Sequence, residues 1–229
     1  MAGSIGPDIV TEGLVLALDA GSKKSYSGSG TTFTDVVGNL SGTLTNGPVF
    51  TPDNGGVLSF DGVNDYVDFG NIPNTFISNP SLNNNIISFS IWVYAIGGYY
   101  IMSTGSQTAS TGISISYQNG SPFISIRTSN KQKSYNPGSN FTTNEWIQWT
   151  AVSDGTNWVV YKNGIQKSSQ ALVSDAVVDA QTRFTLGVPN NSVGCCQFQG
   201  KIGPIQFYNK ALTSQEVLQN YNATKSRFI

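Results

Sequence analysis

Short runs with a two-residue period recur along this chain of 229 residues, and nothing else in it constrains the fold as strongly. In Ile86–Tyr94, Ile87, Phe89, Ile91 and Val93 point one way and Ser88, Ser90, Trp92 and Tyr94 the other. That alternation is the signature of a half-buried strand. Ile113, Ile115 and Tyr117 repeat it, then come Asn119-Gly120 and the run Phe123–Thr128, which reads as a hairpin about a turn favouring positive φ. Trp158–Lys162, Asn163-Gly164 and Ile165–Lys167 give a second hairpin, and Trp146–Val152 another strand. The continuous apolar run Leu14–Leu18 predicts a strand buried on both faces. Trp146, Trp149, Phe60, Phe89 and Phe207 fall on strand patterns and are expected in or near the core.

One good helix signal stands at the end of the chain. Thr213-Ser214-Gln215-Glu216 fits a capping box, and Val217, Leu218 and Tyr221 follow as an apolar stripe. A helix over about residues 213–223 is too short to stand alone and must dock on the strands. Strands with turn signals between them and no linker predict an all-β protein. The expected architecture is a two-sheet antiparallel β-sandwich, or jelly roll, with a short C-terminal helix. Residues 1–10 read as an N-terminal arm with no core role, and residues 11–229 as a single domain, a length that sandwiches commonly reach. The tail Lys225–Ile229 likewise shows no core pattern, so arm and tail are the expected docking or oligomer contacts.

Charge narrows the partners. Charged residues make up 11% of the chain and the net charge is −1, against about 25% charged residues in an ordinary domain. The cations are dispersed and form no stripe that could neutralise several phosphates, which argues against nucleic acid and against an anionic membrane. No stretch is long enough for a membrane-spanning helix. The N-terminal residues lack the basic and apolar segments of a secretory signal. Cys195 and Cys196 are adjacent; they read as two thiols in a loop, since a disulfide between neighbours strains the backbone, with a vicinal disulfide or an intermolecular contact as the alternatives.

The motifs Gly13–Ala20, Leu58–Gly70, Ile87–Tyr94, Trp146–Gln166 and Phe198–Ala223 together resemble the concanavalin A-like lectin/glucanase superfamily in its laminin-G-like branch. The closing segment, Tyr208–Thr213 followed by Glu216–Ala223, is similar to laminin-G-like domains of tailed-phage proteins. The resemblance covers roughly residues 13–223. It implies a non-enzymatic virion structural protein on the particle surface: a head decoration, a head fibre or a neck or tail appendage. Such a protein would be made in the host cytoplasm, contact other virion proteins through its arm, form a homo-oligomer and adhere weakly to host-surface glycans. A glycan-binding lectin module is the alternative, and a glycoside hydrolase the remoter one.

The chemistry available is restricted. The chain has no histidine, which excludes histidine-based triads and histidine-ligated zinc. Glycoside hydrolysis needs two carboxylates facing one sugar bond. The glutamates are Glu12, Glu145 and Glu216, none with an acidic residue two positions away, and Asp65 and Asp68 would alternate to opposite faces of a strand. No catalytic residue is therefore expected. Tyr99 and Tyr100, after Gly97-Gly98, read either as rings that stack on a sugar or as edge tyrosines covering the sandwich end. Asp61, Asn64 and Asp65 read either as turn formers bonding their own backbone or as part of a calcium site. The turn reading, with no cofactor, is the expected one; the resemblance is what brings calcium to a sandwich rim.

Overall fold

A computed structural model describes residues 8–38, 40–72, 83–104, 112–118, 121–128, 131–136, 143–174, 183–189 and 196–229. Its first strands are β1 (Leu14–Leu18), β2 (Thr32–Thr34), β3 (Ser41–Thr45), β4 (Val49–Thr51), β5 (Val57–Asp61), β6 (Tyr66–Asn71), β7 (Ile86–Gly98), β8 (Tyr100–Ser103) and β9 (Gly112–Gln118). Then follow β10 (Ser121–Arg127), β11 (Lys131–Tyr135), β12 (Trp146–Asp154), β13 (Asn157–Lys162), β14 (Ile165–Ala171), β15 (Val173–Ser174), β16 (Arg183–Leu186) and β17 (Phe198–Tyr208). One helix, α1 (Ser214–Thr224), and a 3-10 turn (Lys225–Arg227) close the chain.

The strands form two antiparallel sheets, as the alternation requires. An eight-stranded sheet runs β14-β13-β12-β7-β17-β5-β4, with β1 off this path against β17, and a nine-stranded sheet runs β15-β11-β10-β9-β8-β16-β6-β3-β2. Strand β17 is the hub of the first sheet. It pairs with β7 along one side, with β5 through Gln199–Ile202, and with β1 through its second half. The change of partner falls at Gly203-Pro204, where the register against β7 shifts. Proline has no amide to give to a ladder and is tolerated inside a sheet only at such an irregularity.

The apolar faces meet in one continuous core. Ile87, Phe89, Ile91 and Val93 of β7 point into it, as the period predicts, with Trp149, Trp158, Phe184 and Phe207 around them. Phe89 stacks on Phe207 at 5.6 Å and Phe69 on Phe184 at 4.5 Å. Burying each such ring is worth about 1.5–3 kcal/mol relative to exposure. Leu16 and Leu18 are fully buried in this core, but Leu14, Val15 and Ala17 are only partly covered, so β1 is not the doubly buried strand its sequence suggested.

The outer face of the eight-stranded sheet corrects two expectations. Strand β7 is not half-buried: every residue from Ile87 to Val93 is buried. The cover is the C-terminal segment. The Trp92 indole N–H donates to the Thr224 hydroxyl at 2.8 Å, and Phe228 stacks on Trp92 at 4.4 Å. Ser88 donates to the Lys210 carbonyl and accepts the Leu212 amide. The tail Lys225–Ile229 therefore belongs to the folded unit: Phe228 is buried, and Arg227 reaches Asp19 at 2.7 Å and the carbonyls of Asn54 and Gly56. The end of the expected arm is also docked. Val10 is buried beside Tyr208 and Leu212, and its amide donates to Asn220 Oδ1. Residues 1–7 lie outside the described residues.

Helix α1 begins as its sequence demands. Thr213 caps it, with both arms of the capping box formed to Glu216. Its buried positions, however, are Val217, Asn220 and Thr224, while Leu218 is exposed. The helix lies over a polar strip of the sheet, Ser90, Gln148, Thr150 and Gln206, between two small apolar clusters; Val217 and Tyr221 of the apolar stripe dock in those clusters, and the polar Asn220 and Thr224 share the docking face. Partial burial pushes the Glu216 carboxyl up, but the Lys210 ammonium at 2.8 Å and the Thr213 amide outweigh it and hold the group below its ordinary value. A depressed carboxylate stabilises the fold above its unfolded value, about 4.3, and loses that contribution as pH falls through the folded one. Urea midpoints measured on acidification are expected to fall less steeply for Glu216→Gln than for the wild type.

Candidate ligand-binding face

The nine-stranded sheet turns one face into the core and the other outward, and the outward face is built by simple alternation. Ile113 and Ile115 point in, so Ser114 and Ser116 point out; Ile124 and Ile126 point in, so Ser125 and Arg127 point out. Cross-strand register then aligns one outward residue from each of eight strands. Ser134 of β11 faces Ser125 of β10, which faces Ser114 of β9, which faces Ser103 of β8. Ser103 faces Thr185 of β16, then come Asp68 of β6, Thr43 of β3 and Thr32 of β2. At about 4.8 Å between strands the row is roughly 33 Å long. Seven of its eight members carry a hydroxyl. Ser114 and Ser125 already share a hydrogen bond at 2.7 Å.

This row, which we term the trough, is open at one end and covered at its centre. Ser103 and Thr185 at its centre are 2% and 1% exposed, whereas Thr43 and Thr32 at one end are open to solvent. Its one carboxylate, Asp68, is gripped by Arg183: Nε donates to Oδ1 at 2.8 Å and Nη2 donates to Oδ2. Asp68 also accepts the Gly70 amide. Arg127, beside the row, donates to Gln132 at 2.9 Å. At the covered centre the Thr185 hydroxyl donates to the Val188 carbonyl at 2.8 Å. The partly or fully exposed hydroxyls of Ser134, Ser125, Ser114, Thr43 and Thr32 both donate and accept, and suit an uncharged polyhydroxyl ligand.

The residues singled out from sequence gather at one rim of the sandwich. Tyr100 begins β8 on the outward face, opposite Ser116, which in turn faces Phe123, so this row of two rings and a hydroxyl flanks the trough. Tyr99 is 41% exposed, and its amide donates to Gln197. The Asp61–Asp65 turn reaches the same rim, because Asp61 pairs with Gln199 and Gln199 with Gly97. Gly187 joins the two: its amide donates to Ile101, and a Cβ on it would lie 2.8 Å from the Asp65 carbonyl.

The turn's polar groups are occupied. Asp61 Oδ1 accepts the amides of Val63 and Asn64, and Asp65 Oδ2 accepts the Asp61 amide. The Val63 amide above all holds the Asp61 carboxyl below its ordinary value, while burial pushes Asp65 up, helped by the Asp61 charge. The Asn64 side chain takes no part in these bonds; its carbonyl accepts from Asn46. Among the described residues no three His, Cys, Asp or Glu side chains converge as a metal cluster. Cys196 sits on the same rim with φ 70°, and Cys195 lies outside the described residues.

Sequence reasoning missed the trough. Each strand's alternating serines were visible, but a row exists only once register is known.

The fold has known counterparts. It is similar to Trypanosoma rangeli sialidase in complex with sialic acid, with a TM-score of 0.68 and 16% identity over 98% of this chain and 36% of that one. The chain thus spans about a third of the sialidase's length. It is similar to domain 4 of AbnA, a GH43 extracellular arabinanase from Geobacillus stearothermophilus in complex with arabinotriose, with a TM-score of 0.65 and 18% identity over 92% of this chain and 100% of that one. A third likeness is to the receptor binding domain of botulinum neurotoxin C/D mosaic serotype, with a TM-score of 0.67 and 18% identity over 91% of this chain and 51% of that one. At these identities the likeness is one of fold. No curated protein is significantly similar in sequence. A laminin G family model matches residues 61–218, more than half of the chain. The chain belongs to the concanavalin A-like lectin/glucanases superfamily.

Proposed function

We propose that the protein is a non-enzymatic carbohydrate-binding module that holds an uncharged, extended glycan across the strands of its nine-stranded sheet. The hydroxyl-lined trough carries this reading. The hydroxyls on either side of its covered centre offer donors and acceptors without net charge, and Tyr100 and Phe123 flank it with rings that can pack on a sugar face. The complexes of similar folds with sialic acid and arabinotriose support a sugar as the ligand class. The two arginines of this face are engaged with Asp68 and Gln132, which favours a neutral sugar over an acidic one. Catalysis finds no support on this face: hydrolysis needs two carboxylates about 5–9.5 Å apart, and the row holds one, already bound by Arg183.

The wider reading places this module on a tailed-phage virion, as a head decoration, head fibre or neck or tail appendage adhering weakly to host-surface glycans. It rests on the resemblance of the closing segment and on a surface with few charges.

A glycan array followed by calorimetry tests the binding. Neutral oligosaccharides are expected to bind in preference to sialylated ones, and Ser114→Arg or Ser125→Arg to weaken binding about tenfold or more, which is about 1.4 kcal/mol. Tyr99→Ala is expected to have the smaller effect. Binding unchanged by both trough variants, or turnover of any bound glycan, would overturn the proposal.

A further inference from the structure

The edges of the two sheets are unequally protected. A sheet edge presents unpaired amides and carbonyls, and proteins blunt it with short strands, proline or charge. Strand β4 has three residues between Pro48 and Pro52, β2 has three, and β15 has two beside Lys131 and Lys133 of β11. Strand β1 is closed by the loop over it: Val36 donates to the Ala17 carbonyl and Ala17 to Asp35. Strand β14 differs. It has seven residues, one charge and no proline, among the described residues it pairs with β13 alone, and Ile165, Gln166, Lys167, Ser169 and Ala171 are all exposed.

We propose that β14 pairs antiparallel with β14 of a second copy, so that the eight-stranded sheet continues across a two-fold dimer. The sequence of the strand is self-complementary in one register, centred on Ser168. There Ser168 faces its own mate, Lys167 faces Ser169, Gln166 faces Gln170 and Ile165 faces Ala171. No cation stands directly opposite a cation, the glutamine amides can bond each other, and apolar residues close both ends. A closed contact of this kind uses the same patch on both copies. Ile165, 61% exposed, and Leu218, 46% exposed, widen it: Leu218 packs beside the turn that starts β14, where a Cβ on Gly164 would lie 3.1 Å from its Cδ1. The trough is on the other sheet, so this dimer stands or falls apart from the glycan reading.

Sedimentation velocity over about a hundredfold concentration range, together with site-specific cross-linking, tests it. The wild type is expected to pass from monomer to dimer. The double variant Ser168→Lys, Ser169→Lys is expected to stay monomeric with an unchanged circular dichroism spectrum, while Thr34→Lys on edge strand β2 leaves the dimer intact. Oxidised Ser168→Cys is expected to give a dimer whose peptide map joins the two copies at position 168, whereas Gln166→Cys links far less. A wild type that stays monomeric throughout, a dimer indifferent to the β14 charges, or equal linking at both positions would overturn the proposal.

Discussion

Phe228→Ala is expected to destabilise the protein by about 3–5 kcal/mol, although it is the penultimate residue. Its ring lies at 4.4 Å and 20° on Trp92 and at 4.7 Å from Trp146, and it is 7% exposed. The sheet is shaped to receive it. A Cβ on Gly203 would lie 3.0 Å from the Phe228 ring and 3.0 Å from Trp92 Cβ, so the glycine beside Pro204 leaves the room that the ring fills. The backbone behind it is pinned by Arg227, which binds Asp19 and two carbonyls of the turn after β4. The cavity cannot collapse onto a rigid strand, and Trp92 would lose its cover. A domain with about 5–15 kcal/mol of total stability would lose a large share of it. Urea denaturation of Phe228→Ala against Ile229→Ala checks this. The neighbouring isoleucine is 68% exposed, and its loss is expected to change stability by less than about 0.5 kcal/mol. Equal midpoints for the two variants would mean that the tail does not hold the sheet.

That tail shows where sequence reading stops. The strands were legible because a period of two reports one buried face, and the hairpin at Asn163-Gly164 because both residues take the positive φ of such a turn, 52° and 76°. The cover on β7 was not legible. Ser88 and Ser90 look like solvent-facing residues, yet they bond to Lys210, Leu212 and Gln206 beneath the C-terminal segment. Trp92 and Thr224 meet across 132 residues of sequence, and no local pattern signals that contact. The Asp61–Asp65 turn was legible as a turn because aspartate bonds its own backbone at short range. The trough was not, because alternating serines on separate strands say nothing about which serine stands opposite which. Register is a property of the whole sheet, set here by the turns and by bulges such as the one between Tyr100 and Met102.

The low charge of the chain gains a structural meaning from the same row. A sheet whose outer face is covered by lysine and glutamate would present competing ions to any polyol. Here hydroxyls replace them on seven of the eight strands, and the one acid on the row is neutralised in place by Arg183. The pair is half-buried, so its attraction is partly screened and its value lies in geometry more than in energy.

Gly200→Ala is expected to be the most damaging single change, costing more than about 4 kcal/mol and leaving little folded protein. Gly200 lies inside β17 with φ 153°, between Ala95 of β7 and Phe60 of β5, at a shift in the β7 register. A Cβ there would stand 2.2 Å from the Tyr94 carbonyl oxygen and 2.6 Å from the Phe198 ring. The carbonyl belongs to the backbone of β7 and cannot retreat without opening the pairing that joins the two central strands of the sheet. A glycine inside a strand commonly marks such a bulge or a close backbone approach. Gly70→Ala provides the contrast. Gly70 also has positive φ, 71°, but a Cβ there meets nothing within 4 Å, so the expected cost is only the conformational one of about 1–2 kcal/mol. Soluble yield and urea midpoints of the two variants separate clash from conformation. A midpoint for Gly200→Ala as high as that of Gly70→Ala would mean that β17 can slip against β7, and with it the register on which the outer-face contacts of Trp92 and Phe228 depend.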